Sequence, residues 1–182
     1  MQRKTFLAVT SFAMVTFLAS AAGMAATKAE IDVSATEALK QFNKMSPGHR
    51  ELQNKAEAML VFPRVTKGGI GVAGEYGEGV LLIDGKTVGY YSLSSASLGL
   101  TVGAEKHKEI IMFMTPQALN RFTTSKGWSV GADAGVAVIT KGEGAEIDTK
   151  TSSEPVLGFV FGEKGLIGDL SLEGSKVSKI ER

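Results

Sequence analysis

The sequence predicts an α+β fold: a curved antiparallel, glycine-rich β-sheet or partial barrel, covered by N-terminal helices and one short internal helix. Apolar residues recur at helical spacing before Pro63, whereas short-period, glycine-rich sequence follows it. Glycine inside a helix costs about 1 kcal/mol relative to alanine, which favours strands in that part of the chain. Glycine on one face of a strand also lets a helix or a second backbone approach closely, so we expect strong curvature.

Residues 1–26 have the pattern of a cleaved signal peptide. Two basic residues precede an apolar run over residues 5–18, and small residues follow over 19–26. The apolar run is shorter than the roughly 20 residues that span a bilayer, which favours cleavage over anchoring. We therefore expect a periplasmic or secreted protein in which residues 27–182, about 155 residues, form a single domain. Because the chain has no cysteine, a lipoprotein, disulfides and thiolate chemistry are excluded.

Two amphipathic helices are expected at the start of the domain. In residues 28–44 the apolar positions recur at helical spacing, at Ile31, Ala35, Ala38, Leu39 and Phe42. Ser46 and Pro47 then provide an N-cap with proline in the first turn, and this second helix should end before Phe62. The first helix should therefore bury one apolar face.

The remainder of the chain is predicted to consist mainly of strands. A turn at Gly77 should separate the first two, and Asp84 with Gly85 gives a strong two-residue hairpin signal. Thr115 is expected to cap a short helix over residues 116–124. The predicted strands are 68–76, 79–83, 88–102, 109–114, 128–139, 156–161, 166–172 and 176–180, with a mobile loop over the polar residues 141–154.

Charge and motif content argue against several functional classes. The chain has 20 Lys+Arg against 19 Asp+Glu, whereas a general nucleic-acid binder would be strongly basic. Residues 69–74 match G-x-G-x-x-G, but the glycine-rich sequence after them does not start the helix that a dinucleotide site needs. Lysine-containing phosphate loops, nucleophile elbows and zinc-protease motifs are absent. We expect no cofactor, no metal, no nucleic-acid partner and no enzymatic activity.

A weaker alternative is an enzyme that acts on envelope lipids or glycans. Such an enzyme would need a cleft in which Glu75 and Glu78 converge with His107. The acidic residues between 143 and 148 lack the spacing of a calcium loop, so they are interpreted as a solvated loop.

The basic residues between Lys28 and Lys67 admit two interpretations. They form either an ordinary helix surface with local ion pairs, such as Glu51 with Lys55, or a face that meets anionic lipid head groups. Each Lys or Arg near a lipid surface adds about 1 kcal/mol, and each large apolar side chain removed from water about 1.5–3 kcal/mol. Periodicity does not separate the two interpretations.

Several blocks of the sequence, in this order, resemble the SYLF domain family. The blocks are AMLVFPRVTKGG at 58–69, GEYGEG at 74–79, VGYYS at 88–92, IIMFMT at 110–115 and GLIGDLSLEGSK at 165–176. The resemblance implies a non-enzymatic lipid-binding module. Eukaryotic relatives bind phosphoinositides and other anionic phospholipids, partly through an N-terminal amphipathic helix, and some bind actin.

The export signal makes the chain similar to the bacterial members of that family, for which actin is an unlikely partner. The helix over 28–44 stands where the lipid-contacting helix of the eukaryotic relatives would stand. Its acidic residues Glu30, Asp32 and Glu37 depart from a strongly basic pattern. Bacterial anionic phospholipid is therefore the expected ligand, rather than a phosphoinositide.

We therefore predict a periplasmic, non-enzymatic protein that contacts an anionic phospholipid membrane surface through its basic, amphipathic N-terminal region. The candidate lipid-binding residues are the cations Lys40, Lys44, Arg50, Arg64 and Lys67 and the apolar side chains Ile31, Leu39 and Phe42. The alternative is an envelope structural or protein-interaction module that assembles through exposed sheet edges with an envelope protein partner or with itself.

Overall fold

The computed structural model describes residues 26–70, 72–98, 104–131, 135–139, 153–163, 165–167, 172 and 174–182. In that part of the chain it contains three helices and nine strands, which form a strongly curled half-barrel sheet. The α+β class with a curved sheet is thereby confirmed. The expected signal peptide, apart from its last residue, and most of the expected loop over 141–154 lie outside the described residues.

Two helices begin the described chain, four strands follow, and a third helix separates these strands from the last five. The elements are α1 Lys28–Met45, α2 Pro47–Lys55, β1 Ala58–Ile70, β2 Val72–Ile83, β3 Lys86–Leu98, β4 Ala104–Phe113, α3 Pro116–Thr124, β5 Trp128–Ser129, β6 Ala137–Ile139, β7 Val156–Gly162, β8 Gly165–Leu166 and β9 Lys176–Ile180. The strand order is β5-β9-β3-β2-β1-β4-β7-β6, and β8 pairs with β7. All described pairs are antiparallel except β6 with β7, which is parallel, so the sheet is mixed rather than purely antiparallel.

The sheet separates two apolar cores. One face, called the α1 face, packs against α1 and α2 and contains Val61, Ile110 and Phe159. The other, called the α3 face, packs against α3 and contains Phe113 and Trp128. Alternation along each strand sends successive side chains to opposite faces, so both halves of an apolar run such as 110–113 are buried.

Two boundaries predicted from the sequence are wrong. The second helix ends at Lys55, before Phe62 as expected, but the first strand begins at Ala58 rather than at 68, because the apolar run 58–62 is buried on both faces of the sheet. A short apolar run of this kind fits a buried strand as well as a helix. The turn expected at Gly77 is also absent, since Gly77 lies inside β2, directly opposite Val65.

The reason for the glycine at position 77 is a close contact. A Cβ atom there would lie 2.9 Å from the carbonyl oxygen of Arg64 and 2.9 Å from a methyl carbon of Val65. The hairpin at Asp84 and Gly85 is confirmed, with φ angles of 50° and 71° that a tight two-residue turn requires. The first glycine thus marks a close approach of strands, and the other marks a turn.

Helix α1 is held to the sheet along its length. Thr27 and Glu30 form a capping box at its start, and the apolar face formed by Ile31, Ala35, Ala38 and Phe42 is buried. Asp32 accepts hydrogen bonds from the Tyr90 hydroxyl at 3.0 Å and the Thr87 hydroxyl at 2.8 Å, both on β3. The Gln41 side-chain amide donates to the carbonyl of Gly162 at 2.8 Å. Apolar burial and polar contacts therefore both fix α1 in place.

His49 joins α2 to α1 and to the sheet. Its ring stacks on Phe42 with centroids 4.0 Å apart and meets Phe159 edge-on at 5.5 Å. Its Nδ1 donates to the Phe42 carbonyl at 2.8 Å. Burial lowers the pKa of His49 from its usual 6.5, although the hydrogen bond to Phe42 opposes the shift. His49 is therefore neutral in the folded protein at neutral pH.

The burial of neutral His49 makes the stability of the protein depend on pH. Below about pH 6.5 the unfolded chain binds a proton at His49 that the folded protein excludes, so the free energy of unfolding falls as the pH drops. We expect His49→Gln to be less stable than the parent at pH 7.5, with the difference shrinking towards pH 5. Urea unfolding at a series of pH values measures it; a constant difference would show that His49 is not buried in its neutral form.

Candidate functional site

An open groove lies between the N-terminal half of α1 and the strands β1 and β2. Its volume is about 970 Å³. The residues that line it are Ala26, Ala29, Glu30, Ile31, Val33, Ser34, Pro63, Arg64, Thr66, Tyr76, Gly77, Glu78 and Arg182. Small and apolar side chains from α1, together with Glu30, thus face charged side chains from the strands and from Arg182.

A one-residue bulge in β1 determines which residues face the groove. Val61 pairs with Val80, but Arg64 pairs with Glu78, so β1 has one residue more than β2 between these pairs. Each one-residue slip in a strand moves the following side chains to the opposite face. The bulge therefore turns Arg64 to the α1 face, where it lines the groove.

The charges of the groove are partly paired. Glu78 accepts hydrogen bonds from the Arg182 guanidinium and, at 2.8 Å, from the Tyr76 hydroxyl. Desolvation of the hydroxyl, reinforced by Glu78, raises the pKa of Tyr76. Arg64 is exposed and makes no ion pair with any residue that the structure describes, although its charge acts on Glu30, which also lines the groove. Arg64 is thus the cation of the groove that remains available to an anionic ligand.

The exposed side of α1 continues from the groove as a basic stripe. Val33, Glu37, Lys40 and Lys44 follow one another at intervals of three or four residues and are all exposed, opposite the buried face of the helix. Val33 is 60% exposed, which is unusual for a large apolar side chain of this protein. Lys40 and Lys44 have no ion-pair partner among the described residues.

The three apolar residues predicted to bind lipid pack against the core. Ile31 and Phe42 are 2% and 0% exposed, and Leu39 packs partly buried against the same core. The helical spacing correctly indicated an apolar face, but the sheet covers that face. In this arrangement the three side chains attach α1 to the sheet, and of the three only Ile31 also lines the groove.

The cations also separate. Lys40, Lys44, Arg50 and Arg64 are exposed. The Lys67 side chain is only 21% exposed and pairs with Glu75 at 3.3 Å on the α3 face, the opposite side of the sheet from Glu78. The structure therefore brings Arg64 to the groove, places Lys40 and Lys44 on the adjoining stripe, and removes Lys67 from both.

Groove residues that the sequence did not single out include Val33, Tyr76 and Arg182. Tyr76 is 53% exposed on a strand that pairs with β1. Arg182 reaches Glu78 although 104 positions separate the two residues. Strand register brings these side chains together, and a single sequence carries no local signal of it.

A buried polar cluster lies on the α3 face of the sheet. The His107 Nε2 atom and the Glu109 carboxylate are 2.9 Å apart, and both side chains are 2% exposed. Burial raises the pKa of Glu109, and the hydrogen bond and charge of His107 oppose the shift. Of the convergence considered for an enzyme, Glu75 does approach His107, but Glu78 faces the groove on the other side.

Comparison with known proteins bears on the C-terminal half of the chain. Residues 94–181 match the family model described as Ysc84, Las17-binding protein actin regulator. Ysc84 and SYLF denote the same domain, so the resemblance seen in the sequence is confirmed. No curated protein matches the chain. Among the described helices, none is long and apolar enough to cross a membrane.

Proposed function

We propose that this chain is a periplasmic, non-enzymatic protein that binds anionic phospholipid, because residues 94–181 match the Ysc84 (SYLF) family, which is lipid-binding and actin-regulating. The observation that supports the proposal most directly is the open groove with unpaired Arg64, continuous with the basic stripe of Lys40 and Lys44. The signal-like residues 1–26 support the periplasmic location, and N-terminal sequencing of the protein from the cell envelope tests it.

The groove suits the chemistry of a phospholipid. Its Arg64 guanidinium offers a planar set of donors that matches a phosphate group. The apolar side chains of Val33 and Pro63 line the same groove and provide a surface for the beginning of an acyl chain. A head group seated at Arg64 would thus leave its apolar part beside α1 rather than in water.

The stripe adds attraction to a whole membrane. Each lysine or arginine near an anionic surface contributes about 1 kcal/mol, so Arg64, Lys40 and Lys44 together give reversible attachment. Exposed Val33 adds part of the 1.5–3 kcal/mol that full burial of such a side chain brings. No displacement of α1 from the sheet is needed, because each of these side chains is already exposed.

Charge reversal on the stripe tests the surface. We expect Lys40→Glu with Lys44→Glu to lower the affinity for anionic vesicles by at least about tenfold, because two attractive charges become repulsive. The melting temperature should stay nearly unchanged, since both side chains are exposed. Flotation of the processed protein with phosphatidylglycerol vesicles, and with neutral phosphatidylcholine vesicles, measures recovery.

The matched control reverses two exposed lysines elsewhere, Lys126 after α3 and Lys179 on β9. This pair changes the net charge by the same amount. Equal loss of recovery in both double variants would mean that net charge alone governs binding. Equal recovery of the parent on neutral and anionic vesicles, or no recovery on either, would remove the proposal.

Arg64 tests the groove separately. We expect Arg64→Gln to weaken binding to phosphatidylglycerol vesicles about fivefold, which corresponds to about 1 kcal/mol for one cation. Arg121→Gln, on the exposed side of α3, removes the same charge from the other face and should leave binding unchanged. Fluorescence titration with vesicles compares the two variants. Identical titrations for both variants would mean that the groove does not contribute to lipid binding.

The alternative, assembly through sheet edges, has less support in the described chain. The terminal strands of the sheet, β5 and β6, have two and three residues. Edge pairing is strongest along a long, exposed strand. Light scattering of the protein without lipid distinguishes the two functions, because a stable oligomer would favour assembly and a monomer would favour lipid binding.

A further inference from the structure

We propose that Glu75, His107 and Glu109 form a binding site for a divalent transition-metal ion of the Zn²⁺ type on the α3 face of the sheet. Each residue offers one ligand atom, and these atoms lie within 4.8 Å of one another. All three residues are buried. This site is separate from the groove, and it goes against the expectation from sequence motifs that the protein binds no metal.

Unsatisfied polar atoms in the cluster point to a ligand. The Nδ1 atom of His107 and the Oε2 atom of Glu109 are buried, and neither has a hydrogen-bond partner in the part of the chain that the structure describes. Buried polar atoms are nearly always satisfied, because an unsatisfied one costs more than a hydrogen bond contributes. A cation seated among these side chains would give a second partner to the Glu109 carboxylate, of which only one oxygen is hydrogen-bonded among the described residues.

The strand register gathers the three side chains across β1. Glu75 lies on β2, and His107 and Glu109 lie two residues apart on β4, so all three point to the same face. Gly77 on β2, which lies opposite Val65, has no side chain and therefore adds no atoms to that face beside the cluster. The cluster is thus built on strands, which position ligands more accurately than loops do.

Neighbouring groups orient one of the ligands. Glu75 accepts a hydrogen bond from the Ser95 hydroxyl at 2.8 Å and pairs with Lys67 at 3.3 Å. A carboxylate has about four lone-pair positions, so two remain for a metal. Hydrogen bonds of this kind fix a ligating carboxylate and are a regular part of metal sites.

The ligand set selects the class of metal. One imidazole nitrogen with two carboxylate oxygens suits Zn²⁺ and similar ions, whereas Ca²⁺ and Mg²⁺ prefer oxygen ligands alone. Zn²⁺ bonds of about 2.0–2.2 Å place tetrahedral ligands about 3.4 Å apart, so small side-chain rotations suffice here.

The first test uses the parent protein. The chain has two histidines, so its imidazole NMR spectrum contains one signal from His107 and one from His49 as an internal control. After chelator treatment, we expect Zn²⁺ to shift the His107 signal with saturation at one equivalent and to leave the His49 signal in place. Absence of saturation, or an equal shift of both signals, would overturn the proposal.

Substitutions give the second test. We expect Glu109→Gln and His107→Gln to weaken Zn²⁺ binding by more than about tenfold in calorimetric titration. Glu105→Gln on the same strand, which is exposed, is the matched control and should bind like the parent. Far-UV circular dichroism checks the fold of each variant. A folded His107→Gln variant that binds Zn²⁺ with parental affinity would exclude this site, and Glu75→Gln serves if the other two do not fold.

Discussion

Replacing Phe42 with alanine is expected to lower the free energy of unfolding by about 3–5 kcal/mol, as for other large aromatic residues removed from a core. Phe42 is fully buried, and its ring contacts His49, Phe159 and Phe161 with centroids 4.0, 4.7 and 5.6 Å away. Alanine would leave a cavity where α1, α2 and the sheet meet. Urea unfolding of the two proteins measures the loss.

The result also distinguishes two roles for the apolar residues of α1. If Phe42 were a lipid contact, alanine would reduce vesicle recovery and leave stability nearly intact. Val33→Ala is the matched control, since Val33 lies on the same helix and is 60% exposed. We expect Val33→Ala to change stability by less than about 0.5 kcal/mol and to reduce vesicle binding modestly. A small loss of stability for Phe42→Ala would mean that α1 is not firmly packed on the sheet.

Local signals predicted several elements of the fold well. The helix over 116–124 has the predicted bounds and is capped by Thr115, whose hydroxyl accepts from the Ala118 backbone at 3.2 Å. Strand 176–180 and the hairpin at Asp84 and Gly85 also agree with the sequence. In each case the signal depends only on neighbours in the chain, such as a cap, an alternating pattern or a two-residue turn.

The candidate site was less accessible to sequence reasoning, because it depends on register. The amphipathic pattern of α1 showed which residues were apolar but not that the sheet covers Ile31 and Phe42. Arg64 and Lys67 are three apart on β1, so alternation places them on opposite faces of the sheet, and the bulge that precedes both determines that Arg64 is the one that faces the groove. A prediction from charge alone groups such residues together, whereas strand alternation separates them and the one extra residue decides which face each takes.

The same bulge makes Gly79 sensitive to substitution. Gly79 on β2 lies opposite the extra residues of β1, between the pairs of Val61 with Val80 and Arg64 with Glu78. A Cβ atom at this position would lie 2.2 Å from the Val61 carbonyl oxygen and 2.7 Å from a ring carbon of Phe62. Because the nearest of these atoms belongs to the backbone, the strands themselves must separate to admit it.

We therefore expect Gly79→Ala to destabilise the protein by about 3 kcal/mol, at the upper end of the costs of overpacking. Gly74→Ala is the control on the same strand, where the nearest atom to the new Cβ, the Ser95 carbonyl oxygen, is 3.8 Å away. That substitution should leave stability unchanged or raise it by up to about 1 kcal/mol, because alanine restricts the unfolded chain. Thermal and urea unfolding of both variants measure the contrast. Equal stability of the two would show that β1 and β2 do not approach closely at the bulge, and the position of Arg64 in the groove would lose its structural basis.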